Sequence, residues 1–144
     1  MSPQLALACT FAATVSLLLD QGSKALVQAR LRHRSISWGP LLRFRSVQNA
    51  RNLYSSSVAR FFFAALWFTA LACTVGLYAG RGWFHEPVAC VALAVAFGAA
   101  AGNLLDILRR RSIFDFIDLR WWPVFNLADV GIIFGLAVAF WRGL

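Results

Sequence analysis

The sequence predicts an all-α membrane protein with four transmembrane helices and a small extramembrane, β-containing loop between helices 1 and 2. Of its 144 residues, 60% are hydrophobic and 14% are charged, which leaves too little polar surface to cover a water-soluble globule. The apolar residues also fall into four runs, and a helix needs roughly 20 such residues to cross a bilayer. Because this length suits one domain, we expect residues 1–144 to form a single integral membrane domain.

The four predicted spans follow these apolar runs in chain order. The first run is short and ends at Asp20, while the third and fourth open on Pro87 and Pro123, which suit the first turn of a helix. The predicted spans are about residues 4–20, 58–78, 87–108 and 123–141.

The polar, arginine-rich stretch between the first two spans, residues 21–57, carries two further predictions. Residues 24–31 have the pattern of an amphipathic turn or two lying on the membrane surface. Residues 42–45 alternate between apolar and basic side chains, which predicts a short strand that leads into a loop through Asn49 and Asn52. Such a strand needs a partner, either in the same loop or on the surface above the helices.

Acidic residues gather at one membrane face in this topology. Helices that alternate in direction bring the ends of the first and third helices and the starts of the second and fourth to the same face. Glu86 is the one acid predicted at the opposite face. The acids that converge are Asp20, Asp106, Asp115, Asp118 and Asp129.

Two Asn-x-x-Asp elements predict how some of these acids are held. Asn126 and Asp129 are expected on one helix face, about two turns into the fourth run, where an unpaired carboxyl group is costly. Asn103 and Asp106 repeat the spacing at the end of the third run, so the two elements can face each other. Asp115 lies between two phenylalanines and is therefore expected to be poorly solvated.

Converging carboxyl groups predict hydrolytic chemistry, with alternatives that the residues leave open. Two carboxyl groups in a low dielectric cannot both ionise, so one keeps a proton while the other can activate water for amide hydrolysis. The acids could instead pair with loop arginines or cap helix ends. A small proton-coupled transporter and a catalytically silent scaffold are further readings.

The remaining composition limits the partners of the protein. The net charge of +8 lies in loops beside the apolar runs, so we expect membrane phospholipid as a partner and no nucleic acid. His33 and His85 lie in loops on opposite faces and cannot share a metal ion. We expect neither a metal nor another cofactor.

Four aspartate-containing motifs follow one another along nearly the whole chain. They are Asp20-Gln21-Gly22-Ser23-Lys24, Gly102-Asn103-Leu104-Leu105-Asp106, Phe114-Asp115-Phe116 and Phe125-Asn126-Leu127-Ala128-Asp129. Their order matches that of the lipoprotein signal peptidase (signal peptidase II) family and their spacing is close to it, and the last two motifs together are highly specific. The chain therefore resembles this family.

The resemblance implies an aspartic endopeptidase of the bacterial inner membrane that cuts the signal peptide from diacylglyceryl-modified prolipoproteins, just before the lipidated cysteine. Its catalytic pair falls on Asp115 and Asp129. We expect a monomer with its active site near the periplasmic face, although the positive-inside rule alone would place the arginine-rich, acid-bearing face in the cytoplasm. Residues implied to line or support the substrate site are Asp20, Lys24, Asn49, Asn103, Asp106 and Asn126.

Two positions depart from the family pattern. Ile107 stands where the family commonly has arginine, and residues 49–54 read Asn-Ala-Arg-Asn-Leu-Tyr instead of Asn-x-Gly-x-x-Phe. We hypothesise that Arg51 contributes to substrate binding in place of the missing arginine, since a guanidinium stays charged and donates several hydrogen bonds. The alternative source of that charge is one of Arg109, Arg110 and Arg111.

If Arg51 compensates for Ile107, the two positions are energetically coupled. We predict that Arg51→Gly lowers kcat/KM for a lipidated substrate and that adding Ile107→Arg recovers much of the loss, with a coupling of roughly 0.5–3 kcal/mol. A double-mutant cycle in a cleavage assay measures this coupling. Strictly additive effects would rule the compensation out.

Overall fold

The computed structural model describes residues 1–31, 35–49, 56–79 and 86–143, and these ranges contain four helices and one three-stranded sheet. The predicted helical fold with a β-containing loop after the first helix is confirmed at this level. The elements are α1 (Pro3–Leu31), β1 (Ser35–Trp38), β2 (Leu42–Asn49), α2 (Ser57–Ala79), α3 (Pro87–Arg110), β3 (Ile113–Asp118) and α4 (Leu127–Gly143).

α3 lies at the centre of the helices because small residues let its neighbours approach closely. A Cβ atom added to Gly98 would overlap the backbone of Ala13 on α1, and one added to Gly102 would overlap the carboxylate of Asp20. On α4, a Cβ atom at Gly135 would lie 2.6 Å from the carbonyl oxygen of Ala92. Ala13 of α1 lies beside Gly98 of α3, and Asp20, further along α1, lies beside Gly102, further along α3. α1 and α3 therefore run parallel and end at the same face.

α2 contacts α3 through Trp67 and otherwise presents much apolar surface outward. The ring of Trp67 meets that of Phe97 edge-on at 6.0 Å, and its Nε1 atom donates to the Phe97 carbonyl at 3.4 Å. Phe61 and Phe62, by contrast, are largely exposed. Such a surface is typical of a helix that faces lipid.

Among the described helices, three are long and apolar enough to cross a membrane: Pro3–Leu31, Ser57–Leu77 and Pro87–Arg110. α4 is also apolar but has 17 residues, because it begins at Leu127 and not at Pro123 as predicted. Phe125 is instead extended and pairs with Ile117 of β3 through backbone hydrogen bonds of 2.8 and 3.0 Å. This pairing takes the place of the expected first turn.

α1 continues past the predicted end of the first span. The prediction that residues 24–31 form a separate surface turn is wrong, because they belong to α1 and the side chain of Lys24 is fully buried. The Nζ atom of Lys24 lies 2.7 Å from carboxylate oxygens of both Asp20 and Asp106, which neutralise its charge inside the bundle. A hydropathy pattern predicts that an apolar span ends at a lysine, because the hydropathy of a residue does not take account of a counter-ion on another helix.

The sheet has the antiparallel order β1-β2-β3. The strand predicted at residues 42–45 is confirmed, and it has a partner in its own loop, β1, as well as one above the helices, β3. Trp38 lies opposite Leu42 beside the hairpin turn, and Arg43 lies opposite Asp118 at the end of β3. β3 escapes prediction because neighbouring side chains on both of its faces are buried, which removes the alternation of a half-exposed strand.

Asp118 fastens β2 to β3 through hydrogen bonds. Its Oδ2 atom accepts from Nη2 of Arg43 at 2.6 Å and from Nε of Arg45 at 2.7 Å, while its Oδ1 atom accepts from the backbone N–H of Arg120 at 2.8 Å. The hydrogen bond from Arg43 is the main reason why the pKa of Asp118 is lowered to about 2. Arg120 meets this carboxylate with a φ of 66°, in the left-handed region.

We predict that acid weakens the attachment of β2 to β3. The pKa of Asp118 is about 2 in the folded protein, against about 3.9 in an unfolded chain. Its stabilising contribution is therefore complete above about pH 4 and is lost as the pH falls towards 2. Thermal unfolding of the protein and of Asp118→Asn should give midpoints that differ near neutral pH and converge in strong acid. A difference that stays constant with pH would contradict this.

Candidate active site

Asn126 and Asp129 hold each other at the start of α4. The Oδ1 atom of Asn126 accepts from the backbone N–H of Asp129 at 3.0 Å, and the Oδ2 atom of Asp129 accepts from the backbone N–H of Asn126 at 3.0 Å. This reciprocal arrangement is a capping box, which satisfies backbone donors that a helix start leaves unpaired. The expectation that Asp129 lies two turns into the helix is therefore wrong, since the acid occupies the first turn.

A chain of amide side chains connects Asp115 with Asp129. The Nδ2 atom of Asn126 donates to the Oδ1 atom of Asp115 at 2.8 Å and to the Oδ1 atom of Asn103 at 3.1 Å. The Nδ2 atom of Asn103 in turn donates to the Oδ1 atom of Asp129 at 3.0 Å. β3, α3 and α4 thus each contribute to one cluster, in which Asp115 and Asn126 are buried and Asp129 is partly exposed.

Lys24 supports this cluster from α1. Its Nζ atom contacts Asp20 and Asp106 at 2.7 Å each and donates to the Oδ1 atom of Asn103 at 2.9 Å. Two carboxylates and one amide oxygen therefore surround the ammonium group. Because the Oδ1 atom of Asn103 faces Lys24 and Asn126, the Nδ2 atom is left to face Asp129. The charge of Lys24 therefore orients an amide that contacts Asp129.

Asp20 connects the ion pairs of Lys24 to the start of α4. Its Oδ1 atom accepts from the backbone N–H of Ala128 at 3.1 Å, and its Oδ2 atom accepts from Nε2 of Gln21 at 3.1 Å. Gln21 also donates to the carbonyl of Gly102 at 3.1 Å. Sequence reasoning did not select Gln21, although its place directly after Asp20 in the first motif was the available signal.

Asp106 is buried beside two cations. Its Oδ1 atom lies 3.8 Å from Nε of Arg110, one turn further along α3. Within the described residues neither carboxyl oxygen has a partner with hydrogen-bond geometry, so its contacts with Lys24 and Arg110 are ion pairs. Arg110 is thus the member of the 109–111 group that approaches the cluster. Arg51 lies outside the described residues, and its compensation for the buried Ile107 stays a prediction.

Two apolar clefts reach the cluster. One, of about 590 Å³, contains Asp129 in a wall that includes Trp121, Trp122 and Val130. The other, of about 310 Å³, lies between α2 and α3 and contains Asn103. Ile132 lines both clefts. One apolar cleft therefore borders the cluster at Asp129, and the other borders it at Asn103.

Other predicted site residues lie apart or are only partly described. Asn49 ends β2, where its backbone pairs with Ile113. Asp118 belongs to the arginine network of the sheet and not to the Asp115–Asp129 cluster. In the described ranges, no group of three or more histidine, cysteine or acidic side chains is placed to hold a metal ion. That the protein needs no cofactor stays a prediction.

Comparison with known proteins gives consistent matches along the chain. A family model described as signal peptidase (SPase) II matches residues 12–144. A lipoprotein signal peptidase of Nitratidesulfovibrio vulgaris (strain DP4) is 36% identical over 141 residues, with 89% of this chain and 84% of that protein covered. One from Streptomyces coelicolor is 35% identical over 145 residues, with 92% and 69% covered.

The fold also matches solved structures. A bacterial membrane enzyme determined by the in meso method at 1.9 Å resolution superposes with a TM-score of 0.78 at 22% identity, covering 93% of this chain and 90% of that one. A second such enzyme, at 2.3 Å resolution, gives a TM-score of 0.74 at 20% identity. At sequence identities this low, the structural similarity is evidence for a shared fold alone.

We predict that Gly102→Ala destabilises the protein, because its Cβ atom would overlap the carboxylate of Asp20 and separate it from Lys24. Disturbing a buried ion pair typically costs about 3–5 kcal/mol when one partner is lost, so a fall in the thermal unfolding midpoint is expected in detergent. Gly22→Ala is the matched control, since a Cβ atom there meets nothing within 4 Å. Equal midpoints for the two variants would contradict the prediction.

Proposed function

The chain belongs to the signal peptidase II family, and from this premise we propose that it removes signal peptides from diacylglyceryl-modified prolipoproteins by cutting before the lipidated cysteine. The observation that carries the proposal is the hydrogen-bonded link between Asp115 and Asp129 through Asn126 and Asn103. It connects two carboxyl groups, supplied by a strand and a helix start, and one of them, that of Asp129, lines an apolar cleft.

The proposed reaction uses one proton held between the two acids. Asp129 is assigned to the water, because it lines the cleft, and the more buried Asp115 is assigned to the carbonyl oxygen of the substrate. Asp129 removes a proton from the water as its oxygen attacks the scissile carbonyl carbon, and Asp115 gives its proton to the carbonyl oxygen. When the tetrahedral intermediate collapses, the C–N bond breaks, the proton on Asp129 goes to the leaving amine, and a hydroxyl proton of the intermediate returns to Asp115.

The asparagines keep these acids in position without taking part in proton transfer. An amide has no proton to give at neutral pH, yet it can donate to one carboxylate and accept from a neighbour. Asn126 contacts both acids, through its side chain for Asp115 and through its backbone for Asp129. Preorganised contacts of this kind reduce the rearrangement that must precede attack.

Membrane placement completes the proposal. α4 is roughly 26 Å long at 1.5 Å per residue, slightly less than the hydrocarbon core of about 30 Å, and the extended residues before it add length. We therefore propose four spans in a monomer of the bacterial inner membrane, with the acid-bearing face on the periplasmic side. The α1 and α3 ends then lie at the height where a lipid-anchored cleavage site would be presented.

We predict that Asp129→Asn and Asp115→Asn each lower cleavage of a purified lipidated prolipoprotein by at least about 100-fold, since an amide keeps the shape but cannot exchange the proton. A gel-shift assay measures the loss. Asp118→Asn is the control, because this acid is held by Arg43 and Arg45 of the sheet.

The control should cleave while both test variants fail, with all three retaining a cooperative unfolding transition. Full cleavage by a folded Asp129→Asn or Asp115→Asn protein would remove that residue from catalysis. Absence of cleavage by the unchanged protein would favour the scaffold or transporter readings.

A further inference from the structure

An exposed patch at one end of the sheet combines large apolar side chains with arginine. We call it the lip and define it by Trp38, Leu41, Arg120, Trp121 and Trp122. The side chains of its apolar members are 55–77% exposed. Soluble surfaces rarely leave such a cluster uncovered, and tryptophan in particular is enriched where protein meets the membrane interface.

The parts of the lip are adjacent because of the sheet register. Arg43 of β2 lies opposite Asp118, so the hairpin turn after Trp38 extends beside the segment that follows β3. The Nη2 atom of Arg120 lies 3.5 Å from the Oγ atom of Ser37, which connects that segment to β1. The hairpin tip and the two adjacent tryptophans therefore form one continuous surface.

Positive charge is concentrated behind the apolar side chains. Arg43 and Arg45 both donate to the Oδ2 atom of Asp118, and the backbone N–H of Arg120 donates to its Oδ1 atom, while the guanidinium group of Arg120 lies beside Ser37. Three guanidinium groups and one carboxylate leave an excess of two positive charges. Arg43 and Arg45 are 32% and 41% exposed, and each guanidinium has more donors than its bonds to Asp118 use.

The charge of this end of the protein is asymmetric. Of the other acids at this end in the described ranges, Asp20, Asp106 and Asp115 are buried and Asp129 faces a cleft. At the opposite end, Glu86 and Arg142 neutralise each other at 3.1 Å. The exposed charge near the lip is thus positive, which complements an anionic surface.

We propose that the lip binds anionic phospholipid of the surrounding leaflet. Its tryptophan and leucine side chains enter the boundary between headgroups and acyl chains, and Arg43, Arg45 and Arg120 hold headgroup phosphates with their remaining N–H groups. This binding is separate from peptide cleavage and does not depend on it.

Lipid binding at the lip also bears on how a substrate arrives. Trp121 and Trp122 line the cleft that contains Asp129, so the cleft borders the lip. With the lip seated in the leaflet, a lipid-anchored chain moves into the cleft sideways and stays in contact with lipid. This step rests on the proposed function, whereas the lipid binding itself does not.

The test is a lipid titration of the full-length protein by native mass spectrometry, with phosphatidylglycerol and phosphatidylcholine of the same acyl chains. We expect phosphatidylglycerol to bind at least about fivefold more tightly, which is the gain in affinity expected from one arginine beside an anionic membrane surface. The lip variant combines Trp38→Ala with Arg120→Asn, because asparagine tolerates the left-handed backbone at residue 120. Its matched control combines Trp141→Ala with Arg142→Gln, which removes an exposed tryptophan and an arginine from the opposite end.

The lip variant should lose most of the preference for phosphatidylglycerol, and the control should keep it. Equal binding of both lipids to the unchanged protein would overturn the proposal, as would equal losses in the two variants. If the lip variant fails to fold, raised salt serves instead, because a preference that depends on exposed charge must weaken as salt screens it. A preference that persists unchanged at high salt would then refute the role of the arginines.

Discussion

The buried ammonium group of Lys24 is the constraint on which the rest of the structure depends. A charge that is fully removed from water requires close counter-charges, and Asp20 and Asp106 provide them from α1 and α3. Meeting this requirement fixes how far the two helices are displaced along each other. Gly102 permits the approach, since any side chain there would occupy the position of the Asp20 carboxylate. The charge therefore determines the helix packing as much as the apolar surface does.

Uncharged asparagine side chains connect Lys24 to the two acids through hydrogen bonds. Asn103 receives its orientation from Lys24 and passes it to Asp129, while Asn126 links Asp115 to the beginning of α4. The carboxylate that completes the capping box at that helix start also lines the cleft. The hydrogen bonds that satisfy the backbone donors of this helix start therefore also fix the position of Asp129 beside the cleft.

The sequence alone predicts a large part of this arrangement, and its errors have physical causes. Apolar run lengths were sufficient to predict four helices, and the spacing of Asn103, Asn126 and Asp129 predicted that they meet. Periodicity failed at Lys24, where a distant partner allows a charge inside a helix, and at β3, where burial on both faces removes alternation. It also misplaced the start of α4, because the pairing of Phe125 with Ile117 is a long-range contact that competes with a helical turn.

The four-residue spacing of Asp20 and Lys24 bears on biogenesis. α1 is synthesised before α3, so when the first helix meets the bilayer Asp106 is not yet available as a counter-ion. Because Asp20 lies one turn before Lys24 on the same helix, the cation enters the membrane with an opposite charge already beside it. The Asp20–Lys24 pair can then enter the bilayer without net charge, and the later arrival of α3 adds Asp106 as a counter-ion that links the two helices.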